Sequence, residues 1–341
     1  MYYLVEGRNN SSYIIYVSSL NSIKYSFSFY KPITLWGKFI KIILIFYVLL
    51  NSKFFKKNIK NLYEINKYIS NIFKINIQLR LGDCALISPT RDKIIIKKSE
   101  VFFRKIGVNH SFNFIKREYY IYKLFNRSPK SFQISKVDNF LANNGYVCEF
   151  TLDNSNIKTH MGEKINLITI LSEFFQFSNP RFVYVSDYLK DLLKNLDPKN
   201  HFKQIFILKK IISICVNQKI SLGLTHGDFK PWNIINYKKP LIYDFETSIE
   251  HGLPLSDLIN YKIEPLLLNN IKPITCVELL LDEKVRSEFY DYLKILDINI
   301  SLDLLVNIIL IEKIIFWHSK ESPMEKKYIL LSNILSSKIK L

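Results

Sequence analysis

The spacing of apolar residues changes twice along the chain, and these changes divide it into three regions. Residues 1–75 combine short alternating runs with one long apolar stretch, whereas residues 76–151 consist of short β-rich runs separated by turn residues. After residue 151 the apolar positions recur mainly at helical spacing. We therefore predict an N-terminal extension at residues 1–75, a β-rich domain at residues 76–151 and a helical domain at residues 152–341.

The extension is expected to begin with strands. Polar and apolar residues alternate at residues 12–17 and again at residues 24–29, which is the period-two pattern of a half-buried strand. These runs predict a short β-meander that ends at Pro32. A basic helix is predicted later in the extension, from about Lys53 to Phe73.

Residues 33–50 are almost wholly apolar and predict a helix, with Lys38 and Lys41 on one edge. The uninterrupted apolar part, residues 42–50, is much shorter than the roughly 20 residues that span a bilayer. The pattern favours a helix packed in a core. A helix lying in a membrane interface and a spanning helix both stay open as alternatives.

The two domains are predicted from shorter patterns. Strand-like runs precede residue 151, one helical run lies among them, and helices dominate afterwards except in a compact β-rich segment at residues 222–245. The predicted strands are residues 77–81, 85–87, 93–97, 101–106, 137–141 and 146–150, and the clearest predicted helices are residues 112–125, 167–177 and 201–218.

Composition excludes several classes of protein. Hydrophobic residues make up 48% of the chain and aromatic residues 14%, so a core can be buried and global disorder is excluded. The four cysteines are far apart and form no C-x-x-C pair, which argues against a disulfide framework or a zinc site. We expect buried, reduced thiols, no secretory signal and a cytoplasmic location.

The charge of +18 is concentrated near the N-terminus. Residues 1–80 contain twelve Lys and Arg but only Glu6 and Glu64 as acidic residues. Such an excess suits an anionic partner, whether a phospholipid surface, a nucleic acid or a phosphorylated substrate. A solvated basic face without a partner explains it equally well. No recognisable nucleic-acid-binding module is present, so we expect no nucleic-acid partner.

The candidate chemistry lies in His226-Gly-Asp-Phe-Lys-Pro-Trp-Asn233, followed by Asp244-Phe-Glu. Phosphoryl transfer requires a positioned acceptor hydroxyl, metal ions on the phosphates and a cation that holds them. A loop can supply an Asp for the hydroxyl and, five residues later, an Asn for the metal, and a second Asp beyond a turn completes the metal site. Asp228, Asn233 and Asp244 have this order and spacing.

These residues resemble the catalytic and metal-binding loops of the aminoglycoside phosphotransferase and choline kinase-like superfamily, distant relatives of protein kinases. The resemblance implies an α+β, two-lobed, protein-kinase-like fold, with a small nucleotide-binding β-rich lobe and a larger helical catalytic lobe. It implies that Asp228 positions or deprotonates the acceptor hydroxyl and that Lys230 lies near the transferred phosphate. Asn233 and Asp244 would bind Mg²⁺, and ATP would be the phosphate donor.

The same resemblance implies a phosphate-gripping Lys paired with a helix Glu in the β-rich lobe. Lys105 with Glu118 is the best candidate pair, since the helix that carries Glu118 begins soon after the strand that carries Lys105. Lys97 and Lys98 are rivals for the role of the lysine.

Three further segments take their meaning from the resemblance. The run 146–151 resembles a hinge strand whose backbone pairs with adenine, which makes Glu149 and Thr151 cofactor-binding candidates. No G-x-G-x-x-G is present, so the glycine-free turn Ser88–Asp92 would take the place of the phosphate loop. Asp257 would brace the catalytic loop, although a helix N-cap is an equally good interpretation.

The interpretation that the sequence favours is an active kinase that acts on a hydroxyl of a small molecule or saccharide. The basic, apolar first 75 residues favour a cell-envelope glycan or lipid-linked sugar as acceptor, with the protein held peripherally at the inner membrane face. A catalytically weak nucleotide-binding pseudokinase or scaffold at the membrane surface is the alternative. A basic binding protein with an incidental motif is a third interpretation.

Overall fold

A computed structural model describes residues 1–6, 11–27, 35–50, 59–99, 102–125, 128–143, 147–158, 160 and 165–339. The chain divides into two compact units. The β unit comprises Met1–Lys123 and Ile134–Thr159, and the helical unit comprises Leu124–Gln133 and His160–Leu341. Lys53, Lys56 and Lys57, at the start of the predicted basic helix, lie outside the described residues.

The strands of the β unit form one antiparallel sheet. Among the described residues the strand order is β3-β1-β2-β4-β5-β6-β8-β7. The strands are β1 (Tyr2–Glu6), β2 (Ser12–Tyr16), β3 (Ile59–Lys60), β4 (Cys84–Ile87), β5 (Lys93–Lys97), β6 (Phe102–Val108), β7 (Lys136–Asn143) and β8 (Val147–Asp153). The helices of this unit are α1 (Leu20–Ser26), α2 (Leu35–Leu50), α3 (Leu62–Phe73) and α4 (His110–Leu124).

Each face of the sheet has its own core because neighbouring side chains on a strand point in opposite directions. Tyr2 and Ile14 pack with α3 and with the strands from β4 to β6, in one hydrophobic cluster. Their neighbours Tyr3 and Ile15 pack with α1 and α2 in a second cluster, on the other face of the same strands. The first 75 residues therefore contribute three strands to the sheet and cover both of its faces.

Three predicted elements of this unit differ from the structure. The strand predicted at residues 24–29 is wrong where it is described, because a capping box between Ser19 and Ser22 starts helix α1 there. Helix α3 begins nine residues later than predicted, at a capping box between Asn61 and Glu64. Residues 77–81 form no strand. Instead, the backbone of Leu79 makes two hydrogen bonds with the Asn66 side chain, of 2.8 and 3.2 Å.

The helical unit contains two small groups of strands among its helices. Among the described residues, β10 lies between β9 and β13 in a three-stranded sheet, and β11 pairs with β12. The strands are β9 (Arg181–Tyr184), β10 (Lys219–Thr225), β11 (Ile234–Ile235), β12 (Leu241–Ile242) and β13 (Ile249–Gly252). The helices are α5 (Leu167–Gln176), α6 (Val185–Leu193), α7 (Phe202–Ile214), α8 (Ser256–Leu268), α9 (Pro273–Leu281), α10 (Glu283–Ile295), α11 (Leu302–His318) and α12 (Met324–Lys338).

The predicted fold class is confirmed as α+β, with a β-rich and a mainly helical unit. The division of the chain at residues 75 and 151 stays a prediction. All four cysteines are buried, and none of them forms a disulfide. Within the described part of the chain, no helix is both long and apolar enough to cross a membrane.

Candidate active site

The candidate catalytic segment begins at the end of β10, a strand buried along nearly its whole length. Gly223 in this strand lies against helix α5. A Cβ at this position would be 2.4 Å from the carbonyl oxygen of Phe175, which is closer than real contacts allow. The close packing fixes β10 against α5. The position at which residues 226–228 follow the strand is therefore fixed as well.

Asp257 braces the backbone immediately after β10. Its carboxylate accepts hydrogen bonds from the backbone N–H groups of His226 (2.6 Å) and Gly227 (3.0 Å). Burial raises the pKa of this carboxyl, and the nearby His226 and the two N–H groups partly offset the rise. The N-cap of α8 is Leu255, which makes no side-chain cap bond, so Asp257 braces the loop rather than capping the helix.

Gly227 has a backbone conformation that only glycine tolerates here. Its φ is +77°, and a Cβ would be 2.3 Å from the carbonyl oxygen of Thr247. The Gly227 carbonyl accepts hydrogen bonds from Lys313 Nζ (3.1 Å) and Asn260 Nδ2 (3.3 Å). Hydrogen bonds to both its N–H and its carbonyl oxygen therefore fix Gly227, the residue before Asp228.

His226 is fully buried beside two phenylalanines of the catalytic segment. Its ring centroid lies 5.0 Å from that of Phe245 and 5.6 Å from that of Phe229. Its Nε2 lies 3.0 Å from the carbonyl oxygen of Tyr243, which can only accept, so we assign the ring proton to Nε2. His226 therefore supports the loop and is poorly placed to act as a base.

The amide of Asn233 fixes Asp228. Asn233 Nδ2 donates to the Asp228 carbonyl oxygen at 2.8 Å and to its carboxylate Oδ2 at 3.0 Å. Asn233 itself is buried, whereas the side chain of Asp228 is 29% exposed. The structure thus brings together these two predicted residues and leaves the carboxylate accessible to a substrate hydroxyl.

Lys230 lies between Asp228 and a second carboxylate that the sequence analysis missed. Its ammonium contacts Asp228 Oδ1, and Nζ lies 3.2 Å from Glu264 Oε1. Burial would lower the pKa of Lys230, but the charges of Glu264 and Asp228 outweigh burial and raise it. Lys230 therefore stays a cation beside the carboxylate of Asp228.

Glu264 lies in α8 and is almost fully buried. A signal for it exists in the sequence, because Asp257, Asn260 and Glu264 are spaced three and four residues apart and share one face of the helix. All three are buried. Asp257 and Asn260 hydrogen-bond to the backbone of the loop, and Glu264 pairs with Lys230.

The hairpin of β11 and β12 brings the backbone at Asp244 close to the backbone of Asn233. Ile234 pairs with Ile242, and Tyr243 N–H donates to the Asn233 carbonyl at 3.3 Å, so Asp244 follows the residue opposite Asn233. Asp244 has a φ of +72°, in the left-handed region that Asp and Asn tolerate better than most residues.

The side chains of Asn233 and Asp244 suit Mg²⁺, which prefers hard oxygen ligands. Because Asn233 Nδ2 donates to Asp228, its amide oxygen is the atom that remains to coordinate a cation. Asp244 offers a half-buried carboxylate. The donor set of the chain therefore fits the predicted metal, although the assignment itself stays a prediction.

A second group of side chains in this unit is of the types that ligate metals, but its hydrogen bonds do not leave it free to bind one. His201, His318 and Glu325 bring ligand atoms within 4.8 Å of one another. However, His201 Nδ1 accepts a hydrogen bond from the backbone N–H of Asp197, at 3.0 Å. The ring proton must then be on Nε2, which donates to Glu325 at 2.9 Å and cannot bind a cation at the same time.

In the β unit the structure selects one lysine from the three candidates. Lys105 Nζ lies 2.6 Å from Glu118 Oε1, and both side chains are almost fully buried. Lys97 instead lies 3.9 Å from the ring centroid of Tyr25 in α1, and Lys98 is exposed. The predicted ion pair of strand and helix is therefore present, and its phosphate-binding role stays a prediction.

The remaining nucleotide-site candidates of this unit fit less well. β8 is an interior strand, and Glu149 and Thr151 are in register with both β6 and β7. Because the sheet uses their backbone groups, these are not available to pair with adenine as expected. Glu149 instead pairs with Arg104 at 2.5 Å.

The turn Ser88–Asp92 connects β4 to β5, as the sequence predicted. Its carboxylate, Asp92 Oδ1, accepts hydrogen bonds from the hydroxyls of Ser88 and Thr90. The backbone N–H of Lys93 donates to Ser88 Oγ at 3.1 Å. Side-chain hydrogen bonds thus hold this turn in the absence of glycine, and its role at a phosphate stays a prediction.

Comparisons with known proteins give matches only among solved structures. No protein-family model matches the sequence, and a comparison with curated proteins finds no match. Among solved structures, APH(2")-IIIa with GDP and kanamycin matches with 12% identity and a TM-score of 0.47, covering 82% of this chain and 99% of that one. The choline kinase LicA from Streptococcus pneumoniae matches with 12% identity and a TM-score of 0.47, covering 81% and 99%.

A third match is the aminoglycoside phosphotransferase APH(4)-Ia with ADP and hygromycin B. It has 9% identity and a TM-score of 0.47, and the match covers 82% of this chain and 99% of that one. A likeness at this level says nothing about substrate, which has to follow from the residues of this chain.

Proposed function

We propose that this protein is an ATP-dependent phosphotransferase that moves the γ-phosphate to a hydroxyl of a small molecule or saccharide. The observation that carries the proposal is the geometry around Asp228. Its carboxylate accepts a hydrogen bond from Asn233 and contacts Lys230, and it stays accessible at its outer edge. A carboxylate held in this way can orient a hydroxyl and accept its proton, which is the protein's part in phosphoryl transfer.

The other side chains of the helical unit have supporting roles in this proposal. Lys230 stays a cation and would stabilise the negative charge of a transferred phosphoryl group. Glu264 shares the Lys230 ammonium with Asp228, at 3.2 Å, and would help to hold its charge in place. Bound Mg²⁺, held by Asn233 and Asp244, would supply neutralisation of the phosphate charge.

In the β unit, Lys105 is proposed to bind the nucleotide phosphates. The buried pair with Glu118 supports this role, because a lysine fixed by a carboxylate presents its charge in one direction. Burying a lysine without such a partner would cost free energy, because its charge would lose contact with water and gain no compensating interaction. The role of Lys105 is proposed independently of the geometry around Asp228.

The acceptor class is proposed from the charge of the chain. The excess of positive charge in residues 1–80 suits an acceptor presented at an anionic surface, such as a glycan of the cell envelope or a lipid-linked sugar. A free small-molecule alcohol is the broader class that the catalytic loop alone supports.

Nucleotide binding is tested by thermal unfolding of the full chain. We expect Mg·ATP at about 100 times its Kd to stabilise the protein by about 2.7 kcal/mol, because a ligand that binds only the folded state adds stability by mass action. ATP with excess EDTA should give a clearly smaller shift in Tm, and AMP with Mg²⁺ should give almost none. An unchanged Tm at millimolar Mg·ATP would contradict the proposal.

A further inference from the structure

Helix α2 carries large apolar side chains on two opposite faces. Its inner face packs on the second cluster of the sheet, where Val48 is fully buried and Leu44, Ile45 and Leu49 are partly buried. Packing against Tyr3, Ile15 and the other residues of this cluster accounts for those four residues, and it leaves the opposite face unexplained.

The outer face of α2 carries large apolar side chains that are about half exposed to solvent. They recur at intervals of three and four residues and therefore lie along one side of the helix. They are Phe39, Ile42, Ile43, Phe46, Tyr47 and Leu50. Single exposed apolar residues are ordinary, but a continuous row of six on one helix marks an interaction surface.

The chain around this face is strongly basic. Between Glu6 and Glu64 the sequence has no acidic residue, and it has nine basic ones. These are Arg8, Lys24, Lys31, Lys38, Lys41, Lys53, Lys56, Lys57 and Lys60. A row of apolar side chains within a purely cationic stretch of chain is the combination that binds an anionic lipid surface.

We propose that the outer face of α2 docks onto an anionic bilayer surface, with the helix axis in the plane of the interface. The apolar row enters the boundary between headgroups and acyl chains, and the basic residues of the surrounding sequence attract lipid phosphates, except for Lys41, which is partly buried near Lys97 on the packed side of α2. This surface does not depend on the proposed phosphotransferase activity, because none of its residues belongs to the candidate site.

Other occupants of this face fit less well. A nucleic acid would meet the positive charge but gain little from a row of aliphatic side chains. A second copy of the chain would bring two strongly cationic segments together, which costs free energy through like-charge repulsion. A bilayer-spanning role conflicts with the packing of the inner face and with the length of α2, whose 16 residues reach about 24 Å.

The test is co-sedimentation of the full-length protein with vesicles of defined composition. We expect binding to vesicles of phosphatidylcholine with about one third phosphatidylglycerol at low salt. About 0.5 M NaCl should release most of the protein, since added salt shortens the Debye length. Vesicles of pure phosphatidylcholine should bind it at least about tenfold more weakly. Equal binding to both vesicle types, or binding to neither, would overturn the proposal.

A matched pair of variants distinguishes binding through this face from nonspecific hydrophobic binding to vesicles. Ile42→Ser with Phe46→Ser should reduce vesicle binding at least about tenfold, because binding scales with the apolar area that enters the interface. Phe202→Ser with Phe206→Ser on α7 removes two exposed aromatic residues from the helical unit and should leave vesicle binding unchanged. Equal losses in both variants, or no loss in the first, would contradict the assignment.

A charge variant and a measurement of mass distinguish the remaining occupants. Lys53→Gln, Lys56→Gln and Lys57→Gln together should weaken binding to anionic vesicles and leave the residual binding to neutral vesicles unchanged. Light scattering should give the mass of a monomer for the wild type and for the α2 variant. A wild-type dimer that the α2 variant converts to a monomer, without vesicle binding by either, would assign the face to a second copy of the chain instead.

Discussion

Replacing Asp228 by Asn should lower phosphoryl transfer by about 10²- to 10⁴-fold, the range typical of a lost general base. The amide keeps the size of the side chain, but it cannot accept the proton of the acceptor hydroxyl. The hydrogen bond from Asn233 Nδ2 can still be made to the new side-chain oxygen. We therefore expect the loss in turnover and little change in the affinity for Mg·ATP, as measured by steady-state kinetics and calorimetry.

Asp191→Asn is the matched control for this variant. Asp191 lies in α6 of the same unit and is exposed, and within the described part of the chain its one ion pair is with the nearby Lys194. Exposed pairs of this kind contribute little to stability, and this one has no place in the proposed chemistry. If Asp228→Asn kept more than about a tenth of the wild-type turnover, Asp228 would not be the base.

Replacing Asp244 should weaken Mg²⁺-dependent nucleotide binding as well as turnover. The reason is that Asp244 supplies the charged oxygen ligand proposed for the metal, whereas Asn233 supplies a neutral one. Asp244→Ala should therefore lower the affinity for Mg·ATP at least about tenfold and reduce the affinity for ATP in EDTA only slightly. Titration calorimetry with and without Mg²⁺ measures both affinities.

A second variant separates metal binding from backbone strain at this position. Asp244 has a φ of +72°, where Ala is strained but Asn is tolerated. Asp244→Asn should thus unfold at the wild-type temperature and still lose Mg²⁺-dependent affinity. Undiminished affinity for Mg·ATP in the Asn variant would assign the metal to other residues.

The catalytic segment was predictable because its chemistry lies in one short stretch of chain. A short loop containing Pro231 connects Asp228 to Asn233, and a hairpin of two-residue strands brings the chain back to Asp244. Glu264 was missed because its contact with Lys230 arises from tertiary packing, and its spacing with Asp257 and Asn260 along one face of α8 was the signal that could have found it.

The β unit shows where local pattern is insufficient. The alternation at residues 24–29 is that of a strand, yet the capping box at Ser19 makes the chain helical through Ser26. The choice of Lys105 over Lys97 depends on Tyr25 of α1, which lies 72 residues before Lys97 and covers its ammonium. β8 is an interior strand, so the backbone of Glu149 is used within the sheet and is not available to adenine. This interior position follows from the strand order and not from the sequence of the strand.

The central claim is that the chain transfers the γ-phosphate of ATP to a hydroxyl, and incubation with γ-labelled ATP and Mg²⁺ tests it most directly. The acceptor panel should include aminoglycosides, choline-like alcohols, and free and lipid-linked envelope saccharides, and wild-type protein should be run beside Asp228→Asn. The account predicts acid-stable label in one acceptor class with the wild type and about 10²-fold less with the variant. Tight binding of Mg·ATP without label in any acceptor would instead identify a nucleotide-binding scaffold, and label transferred equally by both proteins would contradict the assigned site.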